Sequence, residues 1–396
     1  MSREAGRGLP FSVVRRLRAR TLDSRRVAVL FEHPYIETLP FVREPVAQLA
    51  AEGFEVELLA PDPWAWSGMH GVRYLPVPDY EGGVQPRAVA AVAALAARGA
   101  VGRDYELVLA TPGMSLIIGA ALARLWRAPL VVLADELYTA ADVDPKPRLR
   151  AAIRRAHERA EFTIVPDLIR ARAMVEDHPA LAGHRFLELP NAPAGPVAPV
   201  DRAAVRRRMG VPDDAVVALS AGSLLPQMGL DVCLDAAARL PPGVMLALQS
   251  NGHLDPPAAS LCARLESALP VRFLLEPAPY DRVDEVVCAS DIGVALYRSP
   301  DPNYVLCGKA SGKAARFLRA GKPIIVDRGG ALEWVAQAGA GEAIDGADDF
   351  AAAVEKLAAD APGYAERARE CHREHFAFER HWPPVRTALA GAMARA

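Results

Sequence analysis

From Arg26 onward, short runs of consecutive apolar residues alternate with stretches of helical period. "RVAVLF" (26–31) reads as a strand buried on both faces, and 40–51 reads as a helix closed by Gly53. "EVELLA" (55–60), "ELVLA" (106–110), "APLVVLA" (128–134), "FTIVP" (162–166) and "FLELP" (186–190) are the further strands of this half. Helices are predicted over 114–126 and from Asp167. Strands apolar on both faces, alternating with helices, predict a parallel sheet covered on both sides. "NAPAGPVAP" (191–199) breaks the pattern, because Pro193, Pro196 and Pro199 exclude a long helix or a central strand. It is the predicted linker.

The second half repeats the alternation. Strands are predicted at "AVVALSAG" (215–222), "VMLALQ" (244–249), "VRFLL" (271–275), "DIGVALY" (291–297) and "KPIIVD" (322–327). Helices are predicted over 229–240, 258–268, 281–289 and 312–320, and the tail from 347 to about 390 is predicted helical apart from "HWPP" (381–384). The expected fold class is α/β, with two doubly wound Rossmann-like domains facing a central cleft. A basic tail (1–25) precedes an N-terminal domain (26–190), the linker (191–199), a C-terminal domain (200–362) and a helical segment (363–396) that returns to the N-terminal domain. Ligands of such sheets bind beyond the carboxyl ends of the strands, so the cleft is the expected site.

A chain of 396 residues has room for two domains, and 51% hydrophobic with 24% charged residues is globular composition. The net charge of −2 lacks the basic excess of a nucleic-acid binder, so no nucleic-acid partner is expected. No apolar stretch reaches the ~18–20 residues of a bilayer crossing. The best candidate, 115–125, is too short and contains Arg124. No apolar core followed by a small-residue cleavage site marks a secretory signal, so a cytoplasmic location is expected. Residues 1–26 carry eight arginines against Glu4 and Asp23, interleaved with Phe11, Val13, Val14 and Leu17. This segment reads as a solvated tail or as a peripheral contact with anionic lipid at the inner membrane face. The five cysteines form no CxxC pair, and His157, His253 and His372 have no partner at ligand spacing. They are expected to be structural, with no metal.

Candidate chemistry concentrates late in the chain. Lysine occurs only five times, yet Lys309, Lys313 and Lys322 fall within 14 residues. Ser311 is a candidate N-cap for a helix opening at Gly312, which puts Lys313 and Arg316 on one face with Lys309 just before. Cations in a first turn oppose the helix dipole, and a bound anion resolves the conflict. Ser311, Gly312, Lys313, Lys309 and Arg316 are therefore candidate phosphate-binding residues. The spacing is not that of a Walker P-loop, and no GxGxxG follows the first strand. Gly222 and Ser223, closing a strand, are a second candidate phosphate loop, or simply a strand-to-helix turn. Glu32 and His33 follow the first strand. Asp135 and Glu136 follow "LVVLA" and are candidates to orient a hydroxyl or act as a base, with helix capping or loop hydrogen bonding as the alternative.

With these stretches assembled, the chain resembles retaining glycosyltransferases of the GT-B fold, family 4 in character, over about residues 26–390. "LVVLADELYTAA" and "RAEFTIVPDLIRARAM...FLELPNAP" carry the resemblance in the first half. "SAGSLLPQMGLDVCLDAAARLP", "CASDIGVALYRSPDPNYVLCGKASGKAARFLRAGKPIIV" and "GGALEWVAQAGAG" carry it in the second, with Glu333 in the usual acidic position. The resemblance implies that the C-terminal domain holds a nucleotide-diphosphate sugar as donor substrate. The N-terminal domain would present a saccharide, lipid-linked or small-molecule acceptor, and no cofactor or metal is implied. Lys313 would be the principal cation on the leaving phosphate, together with the 311–313 helix start and the Gly222–Ser223 loop. Asp135 or Glu136 would orient a sugar.

Four positions depart from the family pattern. Ser223 stands where an arginine is usual, Met228 where a lysine is, Arg316 where a ribose-binding glutamate is, and Asp135 where a histidine is. Losing two charge-assisted contacts of roughly 1.5–3 kcal/mol each would weaken donor binding by about two to four powers of ten. Lys313, Lys309 and Arg316 are the expected replacement. Two other readings follow: a catalytically degenerate partner or regulatory subunit of the same fold, and a sugar-nucleotide epimerase.

Overall fold

The computed structural model describes residues 25–34, 36–61, 68–77, 105–138, 147–252, 256–276 and 278–395. The basic tail before Arg25 and His253 lie outside the described residues. A first sheet contains β1 (Arg26–Leu30), β2 (Glu55–Ala60), β3 (Val72–Pro76), β4 (Tyr105–Ala110), β5 (Leu130–Leu133), β6 (Phe162–Val165) and β7 (Phe186–Glu188). Its order is β3-β2-β1-β4-β5-β6-β7, with parallel pairing throughout. A second contains β8 (Val216–Gly222), β9 (Val244–Ser250), β10 (Val271–Leu274), β11 (Ile292–Ala295), β12 (Ile324–Asp327) and β13 (Gly341–Ile344). Its order is β10-β9-β8-β11-β12-β13, again parallel. Both sheets are doubly wound, as the alternation predicted. The winding reverses between β1 and β4 in one domain and between β8 and β11 in the other. Those reversals open the crevices in which ligands of open parallel sheets bind.

All four residues of β5 and of β11 are buried, the pattern of a strand covered on both faces. β3 and β13 carry no such pattern and were not predicted. Both are edge strands, where Arg73 is exposed and Glu342 only half-buried. Tyr364 donates to Glu342 at 2.5 Å and Arg73 lies 3.5 Å from Glu57, so even these edges have side-chain partners.

The tail forms three helices, Ala347–Ala359, Ala361–His375 and Phe378–Met393. The predicted break at "HWPP" is corrected, because Pro383 and Pro384 lie inside the last helix. Each proline removes one backbone donor. The buried face formed by Phe378, Trp382, Val385 and Leu389 holds the helix through that loss. The Ala361–His375 helix packs on the C-terminal core through Ala368 and Cys371. The Phe378–Met393 helix packs on the N-terminal core with Phe31, Phe41 and Leu109. The return to the first domain is therefore made at Ala377.

Arg206 fixes the first helix after the linker. It is 1% exposed, and it donates to the carbonyls of Ala289, Pro212, Asp213 and Ala215 and to Asp291 Oδ2, at 2.6–3.0 Å. His157 Nε2 lies 2.7 Å from Thr163 Oγ1, and burial pushes its pKa down to about 3. Burial likewise brings His372 to about 4. Among the described residues no helix is long and apolar enough to cross a membrane.

Candidate functional site

The helix Gly312–Arg319 carries the phosphate-binding candidates. Ser311 is its N-cap, and its Oγ accepts from the Ala314 N–H at 3.2 Å. The Tyr297 hydroxyl, at the end of the segment following β11, lies 2.6 Å from the same Oγ. Phe317 presses this helix onto β11 at Gly293, where a Cβ would run into the Phe317 ring. That close approach sets the helix start beside the carboxyl end of β8. A cavity of about 140 Å³ opens there, lined by Gly222, Ser223, Met228, Gly312, Lys313 and Arg316 among others.

Lys313 has no ion pair among the described residues. Its Nζ lies 3.9 Å from Met228 Sδ and 5.0 Å from the centroid of the Tyr297 ring. Burial pulls its pKa below the usual lysine value. Arg316 is 4% exposed and lies 4.3 Å over the Tyr280 ring. It donates to Asp284 Oδ1 at 2.5 Å, while its other terminal nitrogen is buried without a partner. Among the described residues no carboxylate lines this cavity. Its charge is therefore positive, at a helix N-terminus whose first N–H groups have no carbonyl one turn back.

A second cavity of about 570 Å³ adjoins the first. Asn191 and Met228 line both. Its charged lining is Asp135, Glu136 and Asp301 against Arg170. Asp135 is 8% exposed and its Oδ2 has no hydrogen-bond partner. Burial, then the charges of Glu136 and Glu32, hold its pKa well above the usual carboxylate range. Arg170 is 2% exposed, donates to Asn303 Oδ1 at 2.6 Å, and keeps an unpartnered Nε.

The fold thus brings Gly222, Ser223, Gly312, Lys313 and Arg316 to one cavity and Asp135 and Glu136 to the next. Ser311 stands behind the first cavity as a cap rather than in its lining. Lys309 and Glu333, expected at the donor site, are not among its lining residues. Lys309 is instead paired with Glu188 of β7 at 2.7 Å, so its charge is already engaged across the domains. Glu333 opens the short helix Glu333–Gln337. Glu32 accepts from the Ser115 N–H at 3.0 Å, at the start of the Met114–Trp126 helix.

Sequence reasoning missed the residues that join the two domains at the cleft. Asn191 Oδ1 accepts from the Phe41 N–H and its Nδ2 donates to the Ala310 carbonyl, both at 2.9 Å. A Cβ on Gly312 would sit 3.0 Å from that Nδ2, so glycine there lets Asn191 reach the helix start. Asn303 accepts from the Leu137 N–H at 2.7 Å and donates to the Leu137 carbonyl at 3.1 Å. Tyr280 donates to Glu44 of the other domain. Only the position of Asn191 at the end of "FLELPN" carried any sequence signal.

No family model matches the chain. It is 28% identical over 299 residues to a D-inositol 3-phosphate glycosyltransferase of Geodermatophilus obscurus, a match covering 70% of this chain and 64% of that enzyme. The chain thus spans less than two thirds of the length of that curated relative. Among solved structures it is similar to Anabaena HepE in complex with UDP-glucose, with a TM-score of 0.68 at 16% identity, covering 94% of this chain and 100% of that one. It is also similar to sucrose-phosphate synthase from Thermosynechococcus elongatus, with a TM-score of 0.67 at 17% identity, covering 94% and 100% of the two chains. Two doubly wound parallel sheets about one cleft, superposing on these structures over nearly their whole length, make the fold of this chain that of the GT-B glycosyltransferases.

Proposed function

We propose that this chain is a glycosyltransferase that moves a sugar from a nucleotide-diphosphate donor to a saccharide, lipid-linked or small-molecule acceptor. The observation that carries the reading is Lys313, a half-buried cation with no ion pair among the described residues, at a capped helix start facing the cavity. Such a group binds a phosphate strongly, because its desolvation is already spent in the fold. When the sugar leaves, negative charge grows on the departing phosphate. The Lys313 ammonium, the helix N-terminus and the Gly222–Ser223 loop would stabilise that charge without reorganising. Asp135 and Glu136, across Asn191 and Met228, would orient a sugar hydroxyl. The curated relative is a glycosyltransferase and Anabaena HepE binds UDP-glucose, which supports the same assignment here. The quoted segments support a family 4, retaining chemistry. A cytoplasmic location, with the basic tail touching the inner membrane face, belongs to the same reading.

The test is a thermal-shift and calorimetric panel of UDP, GDP, ADP, dTDP and CMP on the native protein and on Lys313→Ala. At ~100 times its dissociation constant a nucleotide stabilises the fold by about 2.7 kcal/mol. One nucleotide should do so, and Lys313→Ala should abolish it. Silence across the whole panel would overturn the reading. A second reading, donor binding without transfer, is favoured by Ser223 and Met228, which place no cation beside Lys313. Turnover of the cognate nucleotide sugar, with and without acceptor, separates transfer from inert binding and from epimerisation.

A further inference from the structure

The cavity of about 570 Å³ shares walls with two others. It meets the cavity of Lys313 through Asn191 and Met228. It meets a further cavity, of about 420 Å³, through Leu137 and Tyr138. This third space lies in the first domain, against the helices Met114–Trp126, Pro147–His157 and Leu168–Asp177. Pro302 of the second domain is part of its wall. Asn303, next in the chain, holds Leu137 by its N–H at 2.7 Å and its carbonyl at 3.1 Å. The peptide that divides the two spaces is therefore fixed from the other domain.

Among the described residues the lining of the third cavity is mainly apolar, with Leu116, Leu137, Ile153, Met174 and Leu181 prominent. Its polar members already have partners. Arg154 is paired with Asp177 at 3.0 Å, and His178 lies 2.8 Å from Glu158. His157 is the side chain bonded to Thr163. Glu176 is exposed. The start of the Met114–Trp126 helix, whose Leu116 lines the space, is closed by the chain itself. Glu32 accepts from the Ser115 N–H at 3.0 Å, and the Tyr138 hydroxyl donates to the other oxygen of the same carboxyl group. Gly113, at φ +94°, makes room for this, since a Cβ there would run into Glu32 and the Tyr138 hydroxyl. A phosphate seeking that helix start would first have to displace Glu32.

We propose that the acceptor is a neutral hydroxy-aromatic compound whose ring body fills the 420 Å³ cavity and whose hydroxyl passes Leu137 and Tyr138 into the middle one. The inference deepens the transferase reading above and rests on it. A space of this size and lining suits a drug-sized apolar body. Met174 and the Tyr138 ring, which face it, favour a flat aromatic one. With the donor phosphates on Lys313, the transferred sugar would occupy the middle cavity, which adjoins both ligands. The acceptor oxygen would bond the anomeric carbon as the sugar–phosphate bond breaks. The nucleoside diphosphate would leave with that electron pair, and the hydroxyl proton would pass to water.

The experiment titrates 2-naphthol and 2-naphthyl phosphate into the full chain by calorimetry, without nucleotide. A failure of the nucleotide panel would count against the transferase reading, while this titration still decides the aromatic site. Naphthol should bind saturably, and at least ~10-fold tighter than its phosphate ester, whose charge would find no free partner in the apolar space. Ala173→Phe, which fills the cavity, should abolish naphthol binding and leave nucleotide binding in place. Ala173→Val is read in the same way should the larger side chain prevent folding. With the glucose ester of whichever nucleotide binds, naphthol should raise the release of nucleoside diphosphate in the native chain and not in the filled variant. The proposal is overturned by the absence of saturable naphthol binding, or by naphthyl phosphate binding as tightly as naphthol. It is equally overturned by undiminished naphthol binding in a folded Ala173 variant, or by nucleoside diphosphate release that naphthol does not change.

Discussion

Lys309 Nζ lies 2.7 Å from Glu188 Oε1, tying the turn before the Gly312–Arg319 helix to the last strand of the other domain. His381 Nδ1 stands 3.6 Å from the same carboxylate. The pair is mostly shielded, with side-chain exposures of 23% and 16%. Lys309→Ala should therefore cost about 1–2 kcal/mol and lower the melting temperature by a few degrees. Nucleotide affinity should hold, because Lys309 is outside the cavity lining. A calorimetric scan together with a nucleotide titration checks both halves.

Lys313→Met should do the reverse. It removes a half-buried cation whose neighbours are a thioether and an aromatic ring, so the unliganded protein should be no less stable. Nucleotide binding should weaken by about 1.5–3 kcal/mol, or about 10- to 100-fold. The pH profile carries a second signature. Burial lowers the pKa of Lys313, so the folded protein gives up this proton before the unfolded chain does as pH rises. Nucleotide affinity should decline on the alkaline side earlier than an ordinary lysine would allow, and Lys313→Arg should move that decline to higher pH.

The carboxyl of Asp135 shifts in the opposite sense. Its folded pKa lies well above 3.8, so between the unfolded and folded values the native state holds the extra proton. Its stabilising contribution is complete below the unfolded value and is lost as pH rises through the folded one. Asp135→Asn should therefore raise the melting temperature near neutral pH and give little change at about pH 3. Equal gains at both pH values would contradict that assignment.

Gly293 is the contact on which the helix carrying Lys313 seats. Gly293→Ala drives a methyl into the Phe317 ring. Overpacking of this kind costs about 1–3 kcal/mol, and here it also displaces Lys313 from the cavity. Loss of nucleotide affinity should exceed that expected from stability alone. Gly293→Ala combined with Phe317→Leu should recover part of it.

Arg206 serves the fold rather than the site. It saturates four carbonyls and a carboxylate while 1% exposed. Arg206→Met orphans those acceptors and leaves Asp291 with Arg202 as its ion-pair partner among the described residues. A loss of about 3–5 kcal/mol is expected, read as a lower urea midpoint with an unchanged slope.

The sheets were legible because their central strands are apolar without interruption. "RVAVL" and "LVVL" announce themselves, whereas "VRYLP" has no buried residue and "GEAI" buries only Gly341 and Ile344, so neither gives an apolar run. Lys313 was legible for a local reason: Ser311, two residues earlier, starts the helix that carries it. The cleft was expected from the doubly wound pattern, but the bonds that close it were not legible, because they join residues far apart in sequence. Asn191 and Phe41 are separated by 150 positions, Asn303 and Leu137 by 166, and Tyr280 and Glu44 by 236. No window along the chain contains such a pair. Lys309 shows the same limit, since only the fold reveals that Glu188 had already claimed it.

The recrossing at Ala377 leaves the second domain a continuous piece of the polypeptide and splits the first between residues 26–189 and 378–392. Phe378, Trp382, Val385 and Leu389 close the core built by residues 26–189, so a chain stopped at Pro190 would leave that core open to water. The helix that completes the first domain is also synthesised after the whole of the second. That domain cannot finish folding on the ribosome ahead of its neighbour, and a protease cut within 191–199 would nick the molecule without separating its halves. Both domains should therefore melt in one transition, with an intact Phe378–Met393 helix as the condition for the first.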